Sequence, residues 1–112
     1  MPAATAVVRY LRMTPRKVNY VLLPLRRRSV SAALTWLSTT NRRAAKPVAK
    51  LLASAYANAR QRDPAVRPED LVIARATAEP GPSWKRSRAG PFGRAMRVLK
   101  RTSHVTVELE RK

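Results

Sequence analysis

Residues 79–108 read EPGPSWKRSRAGPFGRAMRVLKRTSHVTVE. Between the flanking acids Glu79 and Glu108 there is no Asp or Glu, yet there are seven basic residues: Lys85, Arg86, Arg88, Arg94, Arg97, Lys100 and Arg101. All three glycines of the protein, Gly81, Gly90 and Gly93, lie inside this stretch. Its apolar residues are too few and too scattered to build a core. The pattern predicts a long β-hairpin that leaves the body of the domain, with Gly90-Pro91-Phe92-Gly93 as its turn. Glycine tolerates positive φ there, and proline stops ladder pairing. The arms are expected over residues 71–88 and 94–109, with the extended basic part at 79–105. About ten residues per arm beyond the body, at ~3.3 Å each, would carry the tip about 30 Å outward. A lone two-stranded ribbon is marginal in water, so this arm implies a partner that surrounds it.

Working outward, 112 residues make a single domain over 1–112. The net charge is +18 and the pI about 11.9. A compact fold with that much charge repels itself, and a polyanion is the expected companion. Thirteen Lys/Arg, from Arg9 to Arg62, precede the first acid, Asp63. There is no cysteine, which excludes disulfides and thiolate metal sites. The apolar run from Tyr20 to Leu25 contains Pro24 and is far too short to span a bilayer. No charged segment followed by an apolar one reads as a secretory signal.

Residues 4–12 alternate weakly and predict a strand, with Ala6, Val8 and Tyr10 on one face and Val7, Arg9 and Leu11 on the other. Thr14-Pro15 reads as an N-cap followed by proline at the first helical position. Val18, Val21, Leu22 and Leu25 then follow at helical spacing, giving a helix over about 14–26 that Pro24 should kink or end early. Ser29 caps a second helix, lined by Val30, Ala33, Leu34 and Leu37 and ending near Thr39. Asn41 is placed to cap a third helix reaching Gln61, with Ala45, Val48, Leu51, Leu52, Ala55, Tyr56 and Ala59 as its apolar stripe and a bend expected at Pro47. Residues 63–70 form an acidic, proline-bearing loop. Residues 71–78 and 102–109 read as strands, the second with Val105, Val107 and Leu109 facing inward. The implied fold is α+β: a three-stranded antiparallel sheet packed against three helices, with a long protruding β-hairpin. Trp36 is expected in the core or at its edge, and Tyr20 and Tyr56 in the core.

The segments TPRKVNYVL (14–22), AAKPVAKLLASAYANA (44–59), EPGPSWKR (79–86) and GRA with KRTSHVTV (93–95 and 100–107) resemble the L-twenty-two family of large-subunit ribosomal proteins in its bacterial or plastid form. The resemblance runs in order along essentially the whole chain, and KRTSH after Gly-Arg-Ala is its most specific part. It implies a body near the exit of the nascent-peptide tunnel, a hairpin threaded through ribosomal RNA, and a tip that lines the tunnel. The chain departs from the family pattern at three places. Arg27 stands where glycine is usual, Pro24 where a leucine-like residue is usual, and Ala89-Gly90-Pro91-Phe92 where a Pro-Arg-Ala-Arg-type run is usual.

The candidate RNA-binding residues follow from these two lines together. They are the arm bases Lys85, Arg86, Arg88, Arg94, Arg97, Lys100 and Arg101; Arg16 and Lys17 at a helix start, where free N–H groups favour phosphate; Arg26, Arg27 and Arg28; and Arg9 and Arg12 on an edge strand, where charge also blocks aggregation. Thr102, Ser103 and His104 are expected to hydrogen-bond RNA backbone or the sheet. The tunnel tip would comprise Arg88, Ala89, Gly90, Pro91, Phe92 and Gly93. Lys and Arg in this setting grip phosphates and read shape more than base sequence. Trp84 beside Lys85 and Arg86 could stack on a base or pack on the arm's root.

His104 has neither cysteine nor neighbouring acid, so no metal and no cofactor are expected. No nucleophile–base set or Gly-rich phosphate loop reads as an enzyme. An architectural DNA protein would also be basic with a β-arm, but nothing reads as a dimer interface, so no homo-oligomer is expected. The amphipathic, cationic residues 14–28 raise a membrane surface as a third partner, set aside in favour of RNA. The partners expected are large-subunit ribosomal RNA, neighbouring ribosomal proteins and, at the tip, the nascent polypeptide. The location is the ribosome of the cytoplasm, with an organelle ribosome as the alternative. The resemblance begins by residue 4, so no transit peptide is expected before it.

Overall fold

The computed structural model describes residues 4–82, 84–89 and 95–111. The chain opens with β1 (Ala4–Leu11) and turns into α1 (Pro15–Leu22). Thr14 caps that helix: its Oγ1 accepts from the Lys17 N–H, and Pro15 sits at the helix start, where its missing N–H loses nothing. Pro24 ends α1 well before residue 26, because a proline cannot donate to the preceding turn. The backbone tightens instead into a 3-10 turn, Leu23–Leu25, which still buries Leu25.

Ser29 caps α2 (Val30–Thr39), its Oγ accepting from the Ala32 N–H. The expectation for the third helix needs correction. Asn41 is not its cap; α3 runs Ala45–Arg62, with Ala44 at the cap position. Pro47 therefore lies in the first turn, where N–H groups have no helical partner in any case, so it removes no helix bond. The apolar stripe is as expected, with Ala45, Val48, Leu51, Leu52, Ala55 and Ala59 buried. Tyr56 is half-buried and donates its hydroxyl to the Val66 carbonyl.

After a short 3-10 turn at Pro68–Asp70 come β2 (Leu71–Pro80), β3 (Trp84–Ala89), β4 (Ala95–Lys100) and β5 (Ser103–Arg111). β5 lies between β1 and β2, antiparallel to both, and β3 pairs with β4 in a separate two-stranded sheet. The α+β architecture expected from the sequence is thus present. Each arm of the hairpin, however, is two strands and not one, interrupted at residues 81–82 and 101–102.

One face of the three-stranded sheet meets the helices. Val105, Val107 and Leu109 of β5, Leu71, Ile73 and Ala76 of β2, and Ala4 and Ala6 of β1 join Val18, Val21, Leu22, Val30, Val48 and Leu52 in one core. Each fully buried Val or Leu contributes about 1.5–3 kcal/mol relative to exposure. The radius of gyration is 17.0 Å and the long dimension 64 Å. A compact chain of this length would have a radius near 13 Å, so much of the mass stands away from the body.

Two residues other than glycine have positive φ, Tyr10 (59°) and Arg27 (69°). At Tyr10 the pairing of β1 with β5 slips between Val8 and Leu11. The expected alternation therefore fails there: Tyr10 is exposed, while Leu11 packs on the core. Arg27 turns the chain leaving α1 so that its N–H donates to Ile73 O (2.9 Å) and Arg28 O accepts from the Ile73 N–H (3.0 Å). This is the position at which the family resemblance leads one to expect glycine, and the backbone explains why.

A left-handed conformation disfavours a Cβ by about 1–2 kcal/mol, partly offset by the extra unfolded-state entropy of glycine. Arg27→Gly should therefore stabilise the free protein by roughly 0.5–1 kcal/mol, read as a higher urea midpoint at unchanged slope. Arg27→Val, β-branched at the same angle, should lower it.

Candidate nucleic-acid interface

The site is built where the basic arm joins the sheet. β1 runs towards that junction and ends there, Leu11 pairing with Ser103. Arg9, Arg12 and the start of α1, with Arg16 and Lys17, follow in sequence, and all four are exposed, as is Arg101. The topology thus gathers these five bases at the root of the arm.

β3 and β4 continue outward as a ladder of six residue pairs, from Trp84↔Lys100 at the root to Ala89↔Ala95 at the outer end. The register sets Lys85 opposite Leu99, Arg86 opposite Val98, Ser87 opposite Arg97 and Arg88 opposite Met96. Neither strand contains an acid. Arg94 and the expected turn Gly90-Pro91-Phe92-Gly93 lie outside the described residues, so the tip is described only at Arg88 and Ala89.

The root is fixed by side chains expected to hydrogen-bond either RNA backbone or the sheet. Thr102 and Ser103 are buried, and their hydroxyls are already committed: Thr102 Oγ1 donates to Pro82 O at 2.6 Å, and Ser103 Oγ donates to Met13 O at 2.6 Å. A buried hydroxyl takes the nearest carbonyl it can reach, so both hold the root of the sheet together, one of the two roles expected of them. His104 accepts the Tyr10 N–H at Nδ1 (3.2 Å), and its ring meets the Tyr10 ring edge-to-face at 5.0 Å. Accepting at Nδ1 puts the neutral ring's proton on Nε2. Tyr10, displaced from the core, is therefore a wall of the root.

Gly81 completes the junction. Its N–H donates to Thr102 O at 2.9 Å, and a Cβ there would stand 2.6 Å from Thr102 Oγ1 and 3.2 Å from the His104 ring. The requirement is for space, because the Thr102 hydroxyl and the His104 ring fill the volume that a Cβ would take.

Arg26, Arg27 and Arg28 are exposed but do not join this cluster. They flank Ile73, seven residues or about 23 Å along β2 from Pro80. Arg26 also donates from Nε to Ala76 O at 3.3 Å, which ties it to the sheet. The acids gather at this far end. Asp63 pairs with Arg111, Asp70 accepts the Arg67 N–H, and Arg75 lies 3.8 Å from Glu108. The molecule is therefore electrically polar, with acids at one end of the sheet and the arm at the other. Glu79, paired with His104, is the exception at the root.

One cationic group was missed by the sequence reading. The turn after α2 brings Arg42 to the side of Tyr20, its guanidinium carbon 5.5 Å from the ring centre, with Arg16 6.0 Å away. Tyr20, expected in the core, is half exposed on the outer side of α1. No local signal marks this meeting, because Arg42 and Tyr20 lie on different elements. Among the described residues, no group of three His, Asp or Glu side chains is placed to hold a metal, and no helix is long and apolar enough to cross a membrane.

In comparison with known protein families, the model of ribosomal protein L22p/L17e matches residues 6–110.

Gly81→Ala should break the Thr102–Pro82 hydrogen bond, since the new Cβ would stand 2.6 Å from Thr102 Oγ1 and force that hydroxyl or the adjoining backbone to move. The expected loss is about 1–3 kcal/mol. In hydrogen exchange, the Gly81 and Tyr10 amides should lose protection while the centre of α3 keeps it; uniform loss across the protein would contradict a local role.

Proposed function

This chain belongs to the ribosomal protein L22p/L17e family, and from that premise we propose that its arm inserts among helices of large-subunit ribosomal RNA, guides their assembly and carries the tip to the nascent-peptide exit tunnel. As a family member it is a structural protein of the large subunit, located in the ribosome, and binds ribosomal RNA and neighbouring ribosomal proteins.

One observation supports the proposed mechanism above the rest: a two-stranded ladder bearing Lys85, Arg86, Arg88, Arg97 and Lys100, with no acid in either strand and, among the described residues, no third strand beside it. A ribbon of this kind is marginal by itself. Phosphates on both sides supply what a core would supply elsewhere, through charge-assisted hydrogen bonds to Lys and Arg. The root bases Arg9, Arg12, Arg16, Lys17 and Arg101 extend the same surface onto the body. Arg26, Arg27 and Arg28 serve a separate RNA segment, given their distance from the root. His104 can reach RNA only through Nε2. In this assignment Phe92, between Gly90 and Gly93, is the tunnel-facing group at the tip, where it stacks on an unpaired base or narrows the lumen.

If about eight phosphates are neutralised, the logarithm of the affinity for ribosomal RNA should fall with log salt at a slope of roughly −6 to −7. A slope near −1, measured by equilibrium titration at several salt concentrations, would refute phosphate-dominated binding. The division between arm and tip is tested by replacing Lys85, Arg86, Arg97 and Arg101 together with alanine, beside Phe92→Ala alone. The fourfold variant should impair subunit assembly on a sucrose gradient. Phe92→Ala should leave assembly intact and change translation of an arrest-prone peptide, since one stacking contact is worth only about 1–3 kcal/mol. Equal assembly defects in both would make Phe92 an anchor and not a tunnel residue.

A further inference from the structure

We infer that Tyr20, Arg16 and Arg42 form a nucleotide-binding platform on the body, beside the root of the arm and sharing Arg16 with it, that takes one unpaired nucleotide of ribosomal RNA. The inference rests on the ribosomal-RNA function above and adds a site to it. The buried residues of α1 are Val18, Val21 and Leu22, and Tyr20 is directed away from them, with half its surface in solvent. Core packing therefore does not account for the ring. Two guanidiniums lie beside it, Arg16 from the same helix and Arg42 from the turn before α3, at 6.0 and 5.5 Å from its centre. Arg16 Nε also donates to the Tyr20 hydroxyl at 3.4 Å. Neither arginine has an acidic partner among the described residues.

Guanidiniums held against an aromatic ring lose part of their rotamer freedom before any ligand arrives, and although the Arg16 Nε–H is used on the Tyr20 hydroxyl, a guanidinium carries four further N–H donors. That arrangement suits a phosphate at the N–H edges and a base against the ring and guanidinium planes. An acidic protein surface would use the charges but not the exposed ring, and a membrane would need a wider apolar face. A single-stranded nucleotide uses both, and proteins recognise unpaired RNA by this combination of stacking and charge.

The test measures binding of the full chain to deproteinised large-subunit ribosomal RNA at fixed ionic strength, with ultraviolet cross-linking of the wild-type complex and mass spectrometry of the adducts. Tyr20 is exposed, so its replacement should leave the melting temperature unchanged. Tyr20→Leu should weaken binding about 5- to 100-fold at an unchanged salt slope, and Tyr20→Phe should stay within about twofold of wild type. Arg42→Gln should lower the salt slope by about one phosphate. A nucleotide adduct should map to the peptide containing Tyr20. Wild-type affinity in Tyr20→Leu, or no adduct on that peptide, would overturn the platform and leave the ribosomal function standing. A defect of Tyr20→Leu seen only in assembled subunits, and not on naked RNA, would assign the surface to a neighbouring protein and overturn it as well. Failure of the wild-type chain to bind the RNA would overturn the function itself and the platform with it.

Discussion

β5 carries two duties that constrain each other. Between β1 and β2 it is hydrogen-bonded along both edges, and its alternate residues Val105, Val107 and Leu109 supply the sheet's share of the core. At its other end, two residues away, it becomes β4 and leaves the body. A slip of one residue in register would turn all three apolar side chains to the open face and would also shift the arm. The Ser103–Met13 and Thr102–Pro82 hydrogen bonds sit at this change of role. They tie the chain where core packing ends and the two-stranded ladder begins, so the direction of the arm is inherited from the packing of the sheet.

Charge placement follows from the same geometry. A net charge of +18 on 112 residues disfavours a compact body. Placing bases on an extended ladder separates many of them by more than the ~8 Å over which salt screens exposed charges. Asp63, Glu108 and Asp70 are engaged by Arg111, Arg75 and the Arg67 backbone towards the opposite end. Exposed pairs of this kind add at most about 1 kcal/mol each. Their larger effect is on the field, because they leave the root and the arm almost without counter-charge.

What could be read from the sequence was what short range decides. Thr14-Pro15 and Ser29 mark helix starts because a cap needs only the next three residues, and both caps are present. Val105, Val107 and Leu109 alternate cleanly because one face of β5 is buried. Asn41 looked equally good as a cap, but the chain takes four more residues to reach α3. Tyr20 looked like core from its apolar neighbours; its position on the outer side of α1 became evident only once the inner side was defined by β2 and α3. Arg42 could not have been assigned to Tyr20 at all without the α2–α3 turn. Thr102 and Ser103 lie in a basic run that suggests RNA, yet the tight passage beside Gly81 buries them. The resemblance to a family named the kind of ligand; it could not say which polar side chains the fold had already used.

A protein that reads shape must hold its own shape where binding begins. Ordering a residue's backbone opposes binding by about 1–2 kcal/mol, so phosphate contacts along an unsupported ladder would be largely offset by the entropy lost in making them. The root changes that balance. Ser103 and Thr102 are buried and hydrogen-bonded within the body, and His104 is held by Tyr10, so the first ladder pair, Trp84↔Lys100, starts from ordered backbone. In the function proposed above, contacts near the root would be made at little entropic loss, and each contact further out would add to one already formed. RNA helices positioned to meet the root bases first would zip along the arm, whereas RNA presented in another arrangement would have to order the ladder from its free end. In the function proposed above, selectivity for an RNA shape would therefore come from the junction of arm and body, where Arg9, Arg12, Arg16, Lys17 and Arg101 stand beside ordered backbone.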